Sequence, residues 1–189
     1  MELFEAIRKR RSCRKFLPDS IASEDLGKIL EAATWAPSPA NNQPWEFIVV
    51  TNPDIKAKIA DAANASKSML FEKSGWKWLE RYNVNFIREC PVLIVVLGDP
   101  QKSGAHVFMG DSIPGYQHAC AAAVQNMLLA ACGLGLGSLW FTLFERVPVR
   151  RILNISEDLE PLSMVCIGKP AASTVETPRT SFAEKTRYM

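Results

Sequence analysis

Histidine is nearly absent from this chain of 189 residues: His106 and His118 are the two it has, and neither stands at ligand-like spacing from a cysteine. That argues against a Cys/His metal centre and a histidine-based hydrolytic triad, and no Walker loop or G-x-S-x-G occurs either. Excess charge of one sign is also missing, with 22 Lys+Arg against 20 Asp+Glu and a formal net charge of +2. No global electrostatic case for nucleic acid or an anionic membrane follows. No apolar run reaches membrane-spanning length. Met1-Glu2-Leu3-Phe4-Glu5 is acidic and helical where a signal peptide would be basic and then apolar. The five cysteines (Cys13, Cys90, Cys120, Cys132, Cys166) are an odd number without C-x-x-C spacing, which suits buried thiols in a reducing, cytoplasmic setting. What is present is 48% hydrophobic and 22% charged residues, enough to fill one compact domain over residues 1–189.

Leu3, Phe4 and Ile7 recur at helical spacing and open an amphipathic helix that runs into a basic stretch from Arg8 to Lys15. Ser23 reads as the N-cap of a second helix, with Leu26, Ile29, Leu30 and Ala33 on one face. That helix ends before Pro37. Residues 36–44 are rich in turn formers and form a loop, and Trp45 to Val50 reads as a strand. A third helix starts at Pro53, helix is also expected between Ser66 and Arg88, and Val92 to Leu97 suits a central strand covered on both faces. Gly98 to Gly110 reads as loop. Ile113 to Cys132 predicts a helix buried nearly all round, stopped by Gly133-Leu134-Gly135-Leu136-Gly137. Strands at Ser138–Thr142 and Leu162–Ile167 flank a short helix at Val149–Leu153, and the polar tail with scattered apolar anchors wraps another surface.

Three groups of residues could carry chemistry. Arg10, Arg11, Ser12 and Arg14 can converge guanidinium forks and a hydroxyl on one phosphate, or can be a solvated basic helix end. A nucleic-acid patch is the weakest reading, for want of interleaved aromatics. The loop Pro37-Ser38-Pro39-Ala40-Asn41-Asn42-Gln43-Pro44-Trp45 sets amides and a hydroxyl on a proline-stiffened frame suited to the edges of a heterocycle, unless it is structural only. The Gly133–Gly137 run is not a dinucleotide fingerprint, because it follows a helix and precedes a strand, so a helix C-terminus would face the phosphate. Cys13 lies between Arg11 and Arg14, but without a neighbouring histidine base it reads as a small packing residue.

Arg10-Arg11-Ser12-x-Arg14, then Pro-Ser-x-x-Asn-x-Gln-Pro-Trp, then an Ala-rich helix ending in Gly-Leu-Gly-x-Gly-Ser-x-Trp, taken in this order, resemble the nitroreductase family of FMN-dependent oxidoreductases. The resemblance implies an α+β fold, a mixed, mainly antiparallel sheet flanked by helices, in a domain-exchanged homodimer with FMN at the interface. It implies hydride transfer from NADH or NADPH through FMN to an acceptor such as a nitroaromatic or quinone, in ping-pong order, with an FMN storage or sensor protein as the alternative. On that mapping Arg10, Ser12 and Arg179 hold the phosphate, and Arg11 contributes through backbone or side chain. Arg14 approaches the pyrimidine end and tunes the flavin. Pro37, Ser38 and Pro39 come from the other subunit, Asn41 and Gln43 shape that loop or touch the ring, and backbone around Trp140, Phe141 and Thr142 lines the ring. Family members often carry an acidic residue and a glycine where Thr142 and Leu143 stand.

Overall fold

The computed structural model describes residues 1–109, 114–172 and 176–189. Its centre is the strand that the sequence makes continuously apolar, Val92–Gly98 (β2), every residue of which is buried. Trp45–Val50 (β1) pairs with it on one side and Glu160–Gly168 (β4) on the other, and Gly137–Phe141 (β3) pairs with β4. The order is β1-β2-β4-β3, with all three pairings antiparallel. The mixed character expected from the resemblance comes from one isolated parallel bridge, Ser12 to Ser138, on the outer side of β3.

Strand alternation sorts the core into two layers. Leu93, Val95 and Leu97 of β2, with Leu139, Phe141, Met164 and Cys166, pack against Pro53–Ser74 (α3), Phe86–Glu89 (α5) and Arg146–Leu153 (α7). Val92, Ile94 and Val96, with Val165 and Ile167, meet Ser23–Thr34 (α2) and Gly115–Gly133 (α6) on the opposite face. Both faces of β2 are therefore dry, which is why its sequence does not alternate. Within the second layer Asn126 Nδ2 donates to the Ala32 carbonyl at 2.9 Å, joining α6 to α2.

Several boundaries differ from the sequence expectation. Ser23 is the first residue of α2, Ala22 is its N-cap, and the Ser23 hydroxyl makes no capping bond. Thr142 falls just outside β3. Ile113 lies outside the described residues, and α6 exposes His118 and Gln125. The region between Ser66 and Arg88 is helical in three pieces, because α3 runs on to Ser74 and is followed by Lys77–Arg81 (α4) and α5. Gly75, at φ +66°, stops α3 in the left-handed conformation that glycine adopts freely. The expected loop after β2 contains two short 3-10 turns, Pro100–Lys102 and Gly104–Phe108, and Gly110 lies outside the described residues. In the opening helix, Leu3–Lys9 (α1), only Ala6 is buried, and the apolar side formed by Leu3, Phe4 and Ile7 is exposed. The tail adds a four-residue helix, Phe182–Lys185 (α8), and remains exposed.

Candidate functional site

After α1 the chain runs extended along the outer side of β3. The Cys13 N–H donates to the Ser138 carbonyl at 2.9 Å, Leu17 N–H to Lys169 O at 2.9 Å, and Ala171 N–H to Lys15 O at 3.0 Å. Cys13 and Phe16 are buried, and Gly137 makes this approach possible, because a Cβ there would lie 2.8 Å from both Cβ and Sγ of Cys13. With Cys13 turned inward, alternation puts Arg10, Ser12 and Arg14 on the opposite side. Their side chains form no ion pair or hydrogen bond among the described residues. Burial, the largest influence, pushes the Cys13 thiol above its usual range, and the charge of Arg14 offsets only part of that. Cys13 is therefore a packing residue rather than an activated thiol.

Arg11 does not join that face. Its Nη1 donates to the carbonyls of Arg8 and Arg10, and its Nε is buried with no partner among the described residues. It shares a cavity of about 630 Å³ with Ile7, Arg8, Thr177 and Arg179, while Arg179 Nη1 donates to Pro178 O at 3.2 Å. The structure thus brings Arg179 to Arg11.

Beyond Ser138, the outer side of β3 has no strand partner among the described residues, so backbone groups of residues 139–141 face an open edge. Trp140 and Thr142 line a small cavity of about 140 Å³ with Gln117, Cys120, Arg146 and Ser163. Phe141 points the other way, into the core, and meets Phe86 edge-on at 5.4 Å.

The loop before β1 is conformationally costly. Ala40, Asn41 and Gln43 have φ of 50°, 54° and 45°, a left-handed backbone that costs a side-chain-bearing residue on the order of 1 kcal/mol or more. Local bonds hold it: Gln43 N–H donates to Ser38 Oγ at 3.0 Å, and Gln43 Nε2 to Asn41 Oδ1 at 3.4 Å. Pro39 packs tightly against Gly104 and Gly115. Pro37, Ser38, Pro39, Asn41 and Gln43 are therefore together, but not with Arg10, Ser12 and Arg14. The loop leads into β1 at one edge of the sheet and Ser12 flanks β3 beyond the other, four strand spacings or about 19 Å apart.

The structure adds residues that the sequence did not single out. Arg14 and Lys15 line a cavity of about 410 Å³ with Arg81, Tyr82, Asn83 and Phe86. The signal was the interleaving of cations and aromatics from Lys77 to Tyr82, a stretch expected to be helical but given no functional role.

The Nitroreductase family model matches residues 7–169. The chain belongs to the nitroreductase family. It is 34% identical over 176 residues to a Methanothermobacter thermautotrophicus protein provisionally named NADH dehydrogenase/NAD(P)H nitroreductase, covering 90% of this chain and 78% of that one. In structure it is similar to oxidized iodotyrosine deiodinase bound to FMN and 3-iodo-L-tyrosine, with a TM-score of 0.81, 26% identity, and coverage of 95% of this chain and 96% of that chain. It is also similar to a protein from Desulfovibrio desulfuricans, provisionally named a nitroreductase, in complex with FMN, with a TM-score of 0.78, 27% identity, and coverage of 100% of this chain and 97% of that chain. The nitroreductase-like α+β fold expected from the sequence is the one observed. No helix among the described residues is long and apolar enough to cross a membrane, and no cluster there could hold a metal ion.

Proposed function

We propose that this nitroreductase-family chain is a single-domain FMN oxidoreductase that acts as a homodimer and passes hydride from NADH or NADPH to an organic acceptor such as a nitroaromatic or quinone. The observation that carries the reading is the alignment of unpaired Arg10, Ser12 and Arg14 on one side of an extended segment, beside the open edge of β3. From residue 10 to residue 14 such a segment spans about 13 Å, long enough to meet a phosphate at one end and a ring edge at the other. The donor set fits FMN: guanidinium and hydroxyl groups for a phosphate, and backbone groups of residues 139–141 on the open edge of β3 for a heterocycle, the Thr142 carbonyl being taken by Phe144 N–H at 3.0 Å.

When bound, FMN supplies hydride acceptance and donation. Arg10 and Ser12 would hold its phosphate, whereas Arg11 and Arg179 group on the other side of the segment, where Glu176 Oε1 lies 4.0 Å from Arg11 Nη2. Arg14 sets a fixed positive charge at the pyrimidine edge, where negative charge collects on reduction. The opposite-edge placement of Pro37, Ser38, Pro39, Asn41 and Gln43 supports the dimer, since this loop reaches an FMN site only on a second copy. The exposed apolar side of α1 and Trp35, 80% exposed beside the loop, give that second copy a surface to cover. The five free thiols suit a reducing cytoplasm.

The test is direct. Purified protein should be yellow and elute as a dimer, and NADH or NADPH should bleach it anaerobically until a quinone or nitroaromatic restores the colour. A colourless preparation that takes up no FMN would overturn the reading, and bound FMN that neither nucleotide reduces would identify a carrier or sensor instead. Arg14→Ala should slow flavin reduction about tenfold or more while leaving thermal unfolding unchanged. Unchanged rapid-reaction kinetics would remove Arg14 from this role.

A further inference from the structure

The cavity over Arg14 carries a charge pattern that the hydride-transfer reading does not require. Arg14, Lys15 and Arg81 line it, and none of the three has an ion pair or a side-chain hydrogen bond among the described residues. No acidic residue lines it. Tyr82 and Phe86 supply aromatic walls, their rings 6.3 Å apart and edge-on to one another. Asn83 spends its oxygen on the Asn85 N–H at 2.8 Å, so its amide N–H groups remain as donors.

These groups are held in place from behind. Leu79 of α4 is fully buried, Lys67 Nζ donates to the Tyr82 carbonyl at 3.2 Å, and Trp78 meets Tyr82 edge-on at 5.5 Å. Phe86 continues into the core through Phe141 of β3, so the cavity is tied to the strand whose open edge flanks the proposed flavin ring. At about 410 Å³ it has the size of a small-ligand site rather than of a peptide groove.

Lys15 and Arg81, two unneutralised cations beside the Arg14 that faces the flavin, favour with the Tyr82 ring one kind of guest: a flat ring bearing a negative charge, stacked on Tyr82 with its anion toward the Lys15 ammonium and the Arg81 guanidinium. We propose that this cavity is the acceptor subsite and that it selects anionic arenes, aromatic carboxylates above all, over neutral arenes of the same shape. The proposal rests on the oxidoreductase reading and assigns Arg81 and Lys15 as the residues that set specificity.

The experiment compares 4-nitrobenzoate with neutral 4-nitrobenzyl alcohol, first by calorimetric titration of the purified yellow protein without reductant, then by turnover. The carboxylate should bind about tenfold tighter, and the preference should shrink as ionic strength rises from about 0.01 to about 0.1 M, where the screening length falls from about 30 to about 10 Å. Arg81→Gln should lower the anion-to-neutral ratio of affinity and of kcat/KM about threefold, and Lys15→Gln/Arg81→Gln about tenfold, to parity, as expected for partly exposed charge pairs. Lys58→Gln, on the exposed side of α3, should leave the ratio as it is. Equal affinity for the two arenes, or an unchanged ratio in Arg81→Gln, overturns the proposal. So does loss of the yellow colour in Arg81→Gln, which would assign the cavity to the cofactor. Because the titration needs no turnover, selective binding without nucleotide oxidation would uphold the anion selectivity of the cavity while refuting the oxidoreductase reading, and with it the acceptor role.

Discussion

Adding a single methyl group at Gly137 tests how the fold builds the site. A Cβ there would sit 2.8 Å from Cys13 Cβ, 2.8 Å from Cys13 Sγ and 3.4 Å from Pro170 Cβ. Carbon atoms in contact prefer about 3.5–4.0 Å, so roughly 0.7–1.2 Å must be found. The nearest Cβ cannot swing away on a rotamer, so the backbone of residues 12–13 must retreat from β3. Overpacking of this kind costs about 1–3 kcal/mol, and stretching the 2.9 Å bond from Cys13 N–H to Ser138 O forfeits about 1 kcal/mol more. The sum, about 2–4 kcal/mol, corresponds to a fall of roughly 5–12 °C in Tm for a chain of this size. The same retreat carries Ser12 and Arg14 out of register with the edge of β3, so FMN content should fall with Tm. Gly27→Ala is the matched control: nothing lies within 4 Å of its added Cβ, and an alanine inside α2 should stabilise by about 0.5–1 kcal/mol. Thermal unfolding by circular dichroism and the flavin-to-protein absorbance ratio read both effects. If Gly137→Ala kept its Tm within about 1 °C and its full flavin, the argument that this glycine seats the binding segment would be wrong.

Other consequences follow from the same structure. Asn52 Oδ1 accepts from Asp54 N–H and Ile55 N–H at the start of α3, so Asn52→Ala should cost about 1 kcal/mol in urea unfolding with flavin content unaltered; a loss of flavin would show that α3 is coupled to the site. Burial pushes the Cys120 thiol up to about 12 and raises Cys166 as well. The folded state therefore keeps protons that the unfolded chain releases from about pH 8.5 upward, and this part of the stability is complete below that value and is lost as pH rises toward 12. Urea midpoints should decline across that alkaline range, and Cys120→Ala should flatten the decline; a midpoint independent of pH there would refute the assignment.

Elements governed by residues near in sequence are legible from the residues alone. The apolar run at Val92–Leu97, the proline at the start of α3 and the glycine stop after α6 each state a local preference, and each stands where expected. The order of motifs also suffices to indicate the family. Arg11 groups with Arg10, Ser12 and Arg14 in the sequence because four such close neighbours carry no sign of which way each points, and only the pairing of residues 12–13 with β3 separates them. The middle region is opaque for a related reason: Arg81, Tyr82 and Phe86 become a cavity wall only because Leu79 and Phe86 anchor that stretch in the core beside Arg14.

The sequence by itself determined the strands, the main helices and the set of groups able to hold a phosphate and a ring, since these depend on periodicity and residue type. Tertiary structure alone decided their distribution, because strand order is a long-range property. Placing β1 and β3 at opposite edges of the sheet splits the loop of Asn41 and Gln43 from the face of Arg10, Ser12 and Arg14, and leaves each as half of a site.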